Sequence, residues 1–236
     1  MAGRNLTVWF RVLADEIARH VPEPLTIPSD ALCRVRFYEM VHNGGSDDSL
    51  STRDAARGMF REAVLAVPAA YGDDVGEYAV HLYSDDPDYV FWAREAIGWP
   101  VKMGTISISQ PWPTRQLERG SKVQAILQRN GRRLITVTLE FTEPLPRDMY
   151  PRVMGPQYTV KTIPSAEQGH FAVRQIVAVR PSPPTISDVW RAEASMAIEA
   201  SPSDELHFFV PFELVRAEYI PFLDLTMPYG KILVQL

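Results

Sequence analysis

A mainly β fold of the α+β class is predicted for this 236-residue chain. Two observations point there: apolar and polar residues alternate with period two through most of the sequence, and the alternating runs are rich in β-branched and aromatic residues and bounded by Gly, Pro, Asp and Ser. A third is that only two stretches break the pattern. Strands are expected near 6–11, 32–42, 57–67, 76–83, 103–109, 121–128, 133–142, 157–163, 170–179, 187–199 and 206–218. A short helix is expected from Asp15 to Val21, stopped by Pro22. A longer one is expected from Asp86 to Ile97, beginning after Asp85 with acidic residues in its first turn and ending at Gly98. The Gly/Ser/Asp-rich segment 43–52 reads as an exposed loop, either a plain connection or a lid over a pocket. Pro181-Ser-Pro-Pro184 is too short for a linker, so residues 1–236 are expected to form one domain.

Composition narrows the function classes. Hydrophobic residues make up 46% of the chain, enough for a sizeable core, and the net charge is −5. An acidic chain without clustered positive charge offers no footprint for nucleic acid or anionic lipid. No apolar run approaches the ~20 residues of a membrane-spanning helix. The single cysteine, Cys33, forms no intrachain disulfide, and a cytoplasmic location is expected. The histidines His20, His42, His81, His170 and His207 lack metal-ligand spacing, so no metal site and no cofactor are expected. Only four lysines occur, Lys102, Lys122, Lys161 and Lys231, which limits any amine chemistry to four candidates.

The segment Arg94-Glu-Ala-Ile-Gly-Trp-Pro-Val-Lys-Met-Gly104 resembles the lysine segment of the acetoacetate decarboxylase family. The similarity extends through Val21-Pro-Glu-Pro-Leu25, Tyr78-Ala-Val-His-Leu-Tyr83, Trp190-Arg-Ala-Glu-Ala-Ser195, Pro202-Ser-Asp204 and Leu225-Thr-Met-Pro-Tyr-Gly-Lys-Ile-Leu233, in matching order and spacing. The resemblance implies a closed, cone-shaped β-barrel with peripheral helices, an interior pocket for a small carbonyl substrate, and homo-oligomers. It also implies a departure. The first lysine of the family's Pro-Lys-Lys, which forms the imine, is replaced by Val101, and only the second remains, as Lys102.

Candidate site residues follow from that comparison. Glu62 matches a pocket glutamate of the family; in an apolar interior its pKa should rise, suiting it to proton transfer. The alternative is a structural glutamate paired with Arg61 or Arg36. The place of the family's second glutamate falls to Arg36, or to Tyr38 on the same strand face, and a guanidinium there would favour anionic or carbonyl-rich substrates or pair with Glu62. Trp99 is expected in the pocket wall with Val101 and Leu82. Lys102 is a candidate imine-forming amine if a bulge turns it inward. Without one, strand alternation points it away from Val101's face. Arg4 is offset by one residue from the family's substrate arginine.

Three functions stay open. The first is acid/base or shape-guided catalysis on a carbonyl-rich metabolite without an imine, giving a cyclisation, dehydration or isomerisation in secondary metabolism. The second is a Schiff-base decarboxylase or aldolase-dehydratase using Lys102. The third is a non-catalytic barrel that binds a small ligand.

Overall fold

The computed structural model describes residues 1–29, 32–41, 58–110, 116–146 and 155–236, so the 43–52 segment and its lid reading lie outside the described residues. The chain forms β1 (Ala2–Arg11), α1 (Ala14–Ala18), β2 (Cys33–Val41), β3 (Met59–Tyr71), β4 (Asp74–Ser84) and α2 (Pro87–Trp92). A π-helical turn, Ala93–Ile97, continues α2 into β5 (Val101–Met103), β6 (Thr105–Ile108), β7 (Lys122–Arg129) and β8 (Arg132–Leu145). β9 (Gln157–Pro164), β10 (Phe171–Val179), β11 (Thr185–Ile186) and β12 (Val189–Ile198) follow. A 3-10 turn at Leu206–Phe209, β13 (Glu213–Asp224) and β14 (Lys231–Gln235) complete the order.

All these strands join one sheet, in the order β14-β10-β9-β4-β3-β2-β1-β13-β12-β8-β7-β6, with β11 on β13 and β5 on β4. The mainly β expectation therefore holds. Among the described residues, however, the pairing is an open path with β14 and β6 at its ends, not the closed ring of a cone-shaped barrel. Bulges at Gly3/Asn5, Trp9/Phe10, Leu65/Ala66 and Arg191/Ala192 interrupt the ladders. Such bulges bend a strand and increase its twist.

Alternation divides the interior in two. Val35 and Phe37 of β2, Ala63 and Leu65 of β3 and Tyr83 of β4 pack with Leu6, Val8, Phe10 and Phe141 on one face. Tyr38 and Met40, Phe60 and Val64, and Leu82 pack on the other, with Tyr89, Trp99 and Val101. This is the period-two consequence of pleating. One irregularity matters for the second face. β3 and β4 slip where Leu65 pairs with His81 but Ala66 pairs with Ala79, so Val80 is the extra residue. That bulge lets Ala79 and Leu82, three positions apart, line the same cavity.

Several expected boundaries move, for local reasons. The 103–109 strand is divided at Gly104, because β5 runs parallel to β4 while β6 pairs antiparallel with β7. The 206–218 strand is half right: Leu206–Phe209 is a 3-10 turn, Leu206 and Phe209 fill the core, and β13 begins only after Pro211. β11 and β14 were not anticipated, since Pro183-Pro184 directly precedes the one and Pro228-Tyr-Gly230 the other. The longer helix starts one residue later than expected. Asp86 is its N-cap, accepting a bond from the Tyr89 backbone N at 2.7 Å, and Pro87 occupies the first turn.

Gly98 ends that helix in the left-handed region, at φ 93°. A Cβ there would also run into Lys161 Cα and Cβ on β9. Thr159 Oγ1 donates to Gly98 O at 2.6 Å and Lys161 Nζ donates to Ala96 O at 3.2 Å, so β9 clamps the helix end that delivers Trp99. Gly98→Ala is expected to cost about 1–3 kcal/mol from the strained φ alone, with a further loss from the clash. Thermal unfolding of the variant, followed by circular dichroism, checks it.

Candidate active site

Three neighbouring strands place the polar groups of the site by alternation. Arg36, Tyr38 and Met40 come from β2 and Phe60, Glu62 and Val64 from β3, with Tyr38 directly opposite Glu62 and Arg36 opposite Val64. Leu82 of β4 lies beside Val64, Tyr89 enters from α2, and Trp99 follows Gly98. Gln157, Leu225, Met227 and Met1 complete the wall of a cavity of about 40 Å³. A site needs roughly 10–15 Å³ on this measure to hold one water, so this one has room for a few waters or a metabolite of a few carbons.

Glu62 is 8% exposed, and its Oε1 accepts from the Tyr89 hydroxyl at 3.0 Å. Burial pushes its pKa up to about 7, against opposition from the Tyr89 hydrogen bond and the Arg36 charge. It forms no ion pair with Arg61, which is engaged by Glu39 at 2.9 Å and Asp85 at 3.1 Å. Nor does Arg36 pair with it directly: the Arg36 guanidinium donates to Glu77, which also has Arg34 at 2.8 Å. Burial opposes the Arg36 charge, but Glu77 outweighs it and holds the guanidinium protonated. Glu77 is likewise kept ionised, its burial overcome by Arg34 and then Arg36.

Two donors on the cavity wall are left over. Arg36 Nε and Trp99 Nε1 are both buried and have no hydrogen-bond partner among the described residues. A buried donor without an acceptor costs about 1–3 kcal/mol, which a ligand offering carbonyl or carboxylate oxygens would relieve. The site thus combines one carboxyl that titrates near neutrality, one permanent cation and two unpaired donors.

The remaining candidates are placed elsewhere. Val101 pairs with Leu82 and is buried in the same apolar cluster, but it stands outside the cavity lining. Lys102 does not join the site. Beside Tyr83 on the opposite face, its Nζ donates to Asp204 Oδ1 at 2.8 Å. No bulge turns it inward, because β5 keeps unbroken register with β4 from Val101 to Met103. The other three lysines are also accounted for. Lys122 pairs with Glu140, Lys161 binds Ala96 O, and Lys231 lies on β14, so no lysine lines the cavity. Arg4 is bound to Glu39 and to the carbonyls of Ile108 and Ser109. Among the described residues no group of three or more His, Cys, Asp and Glu is placed to hold a metal. Among the described residues no helix is long and apolar enough to cross a membrane.

Sequence reasoning missed Tyr89, Glu77 and Gln157. Met40, Phe60 and Val64 were within reach of it, being two residues from expected site positions on the same strands. Tyr89 carried no local signal, and Gln157 reaches the cavity only because β9 pairs in parallel with β4.

Comparison with known proteins agrees with this architecture. The family described as acetoacetate decarboxylase (ADC) matches residues 2–236. An acetoacetate decarboxylase from Burkholderia ambifaria (strain MC40-6) is 24% identical over 229 residues, covering 96% of this chain and 84% of that protein. One from Clostridium beijerinckii is 23% identical over 229 residues, with the same coverage. Among solved structures, an acetoacetate decarboxylase-like enzyme from Sphingomonas wittichii RW1 superposes with a TM-score of 0.86 at 20% identity, covering 100% of this chain and 92% of that one. The enduracididine biosynthesis enzyme MppR, complexed with pyruvate, superposes with a TM-score of 0.82 at 17% identity, covering 99% and 89%.

Proposed function

Because this chain belongs to the acetoacetate decarboxylase family, we propose that it is an enzyme of that family that works without an imine-forming lysine. In this reading Val101 stands at the family's lysine position, and Glu62 moves a proton on a small carbonyl compound. The observation that carries it is that Glu62, buried and without a salt bridge, lines the same cavity as Arg36, and no lysine lines that cavity.

As a carboxylate, Glu62 takes the proton from the carbon next to a carbonyl. The electron pair of that C–H bond becomes the enolate, and the oxygen that gains charge accepts from Arg36 and Trp99. The proton on Glu62 then goes to another carbon, giving isomerisation, or to a hydroxyl that leaves as water, giving dehydration. If the enolate instead attacks a second carbonyl of the same molecule, the proton quenches the alkoxide and the product is a ring. All three outcomes share the first step and need no oxidant, reductant or cofactor. Arg36 has its charge fixed by Glu77 before substrate arrives, which is the preorganisation such stabilisation requires. A small carbonyl metabolite of secondary metabolism suits the cavity, and the pyruvate bound to MppR supports substrates of that size. Homo-oligomer formation belongs to the same proposal, supported by the exposed apolar side chains Val210, Phe212 and Val215.

Borohydride trapping with acetoacetate and pyruvate tests the reading. The expected result is no reduced adduct on any of the four lysines, with an acetoacetate decarboxylase labelled in parallel as the control. Lys102→Ala should leave solvent-deuterium incorporation into pyruvate or 2-oxobutyrate at the wild-type rate. An adduct mapped to Lys102 would sink the proposal.

A further inference from the structure

We propose that Tyr89 is the positioning residue of the site: by donating to Glu62 Oε1 it confines the transferable proton to Oε2. This inference rests on the reading of Glu62 as the acid and base.

The argument begins with the count of donors and acceptors. A protonated carboxyl has one O–H and one carbonyl oxygen, and a phenol has one hydrogen to give. The Tyr89 hydroxyl lies 3.0 Å from Glu62 Oε1 and has no other hydrogen-bond partner among the described residues. With the Glu62 proton on Oε2, Oε1 is a carbonyl oxygen that accepts from Tyr89, and only the O–H on Oε2 is left over, on the oxygen that substrate would meet. With the proton on Oε1, Tyr89 would have to turn and accept, which leaves two groups unpaired instead of one, the phenol hydrogen in a buried site and the carbonyl oxygen Oε2, and that is the costlier arrangement. Burial and the neighbouring Glu62 charge keep the phenol protonated, so it remains a donor at all working pH values. Oε2 has no partner among the described residues, which leaves it free for substrate.

The frame around Tyr89 is built to hold that geometry. Its ring stacks on Phe60 with centroids 4.3 Å apart and planes 15° from parallel. Phe60 sits two residues before Glu62 on β3, so both project from the same strand face. The Tyr89 backbone N is tied to Asp86 Oδ1 at 2.7 Å. The phenol is thereby located by the strand that carries Glu62 and by the cap of α2.

Infrared difference spectroscopy of the full chain tests this, with Glu62→Gln as the blank that identifies the Glu62 bands. At pH 5, where Glu62 is protonated, the wild-type C=O stretch should be lowered by the Tyr89 bond. In Tyr89→Phe, which keeps the ring stacked on Phe60, that stretch should move to higher frequency. The Glu62 titration midpoint should move upward, because the donor favouring the carboxylate is gone. An unchanged stretch and midpoint in Tyr89→Phe would overturn the assignment while leaving the Glu62 reading intact. A difference spectrum with no carboxyl titrating near neutrality would instead overturn the Glu62 reading, and this inference with it.

Discussion

Glu62→Gln should lower turnover by about 10²- to 10⁴-fold, the range typical for losing a general acid or base, and at the same time make the protein harder to unfold at pH 8. The two effects share one cause. Buried Glu62 has its pKa raised from 4.5 to about 7, so the folded chain holds this proton more tightly than the unfolded chain does. Between those two values the unfolded state loses its proton first, and stability falls as pH rises through the window. Above pH 7 the cost of keeping the ionised group buried is fully present, at about 3 kcal/mol from 1.36 kcal/mol per pKa unit. Glutamine keeps the oxygen that accepts from Tyr89 and cannot ionise. The variant should therefore melt roughly 6–12 °C higher than wild type at pH 8, using 2–4 °C per kcal/mol for a chain of this size, and the gap should close toward pH 4. A glutamate held in place by an ion pair would behave in the opposite way, since removing its charge would strand a buried cation. Melting curves at pH 4 and 8 thus distinguish the two roles without knowledge of the substrate. With a substrate in hand, the rate should rise with pH to a plateau above about 7, because the carboxylate is the form that takes the proton.

How much of this was legible in the sequence depends on the range of the forces involved. The family resemblance marked Glu62 and Arg36 as pocket positions, and period two put Tyr38 on the face of Arg36, because the pleat fixes side-chain direction residue by residue. The same period also left Lys102 facing away from Val101 once no bulge intervened, and the register from Leu82–Val101 to Ser84–Met103 is unbroken. The end of the long helix at Gly98 was legible for a similar reason, a backbone conformation that glycine adopts without strain. What pairs with Arg36 was not legible. Glu77 is 41 positions away in sequence, and only the β2–β3–β4 register brings it there. Arg61, a neighbour of Glu62 in sequence, points to the other face and binds Glu39 and Asp85. Neither arginine offered as a partner for Glu62 therefore pairs with it, because long-range pairing commits Arg61 to Glu39 and Asp85 and Arg36 to Glu77. Leu206–Phe209 misled for another reason: its apolar residues fill the core as well from a 3-10 turn as from a strand, so composition alone does not separate the two.

Asp204→Ala should unfold the protein far more readily while leaving the chemistry of the cavity in place. Asp204 is 1% exposed and accepts from Tyr83 Oη at 2.9 Å, Lys102 Nζ at 2.8 Å, an Arg129 guanidinium nitrogen at 2.9 Å and Ser201 Oγ at 3.4 Å. These bonds pin the loop before the 3-10 turn to β4, β5 and β7. Removing one partner of a buried charged cluster costs about 3–5 kcal/mol. Here the lower end applies, because the Lys102 and Arg129 side chains are 34% and 25% exposed and can turn toward water. The buried Tyr83 hydroxyl cannot. A cost of about 3 kcal/mol lowers the melting temperature by roughly 6–12 °C. Burial alone would raise the Asp204 pKa, but hydrogen bonds from Lys102, Tyr83 and Arg129 hold it below its ordinary 3.8. Its stabilisation is therefore complete above pH 3.8 and is lost as pH falls through the folded value. Lys102→Met should cost under about 1 kcal/mol, as expected for a partly exposed ion pair whose carboxylate keeps its other donors. Deuterium incorporation by Lys102→Met should match wild type. A variant that melts normally yet loses all exchange would return Lys102 to the chemistry; one that loses a little stability and no exchange makes it part of the scaffold around Asp204, with proton transfer left to Glu62 on the opposite face of the same sheet.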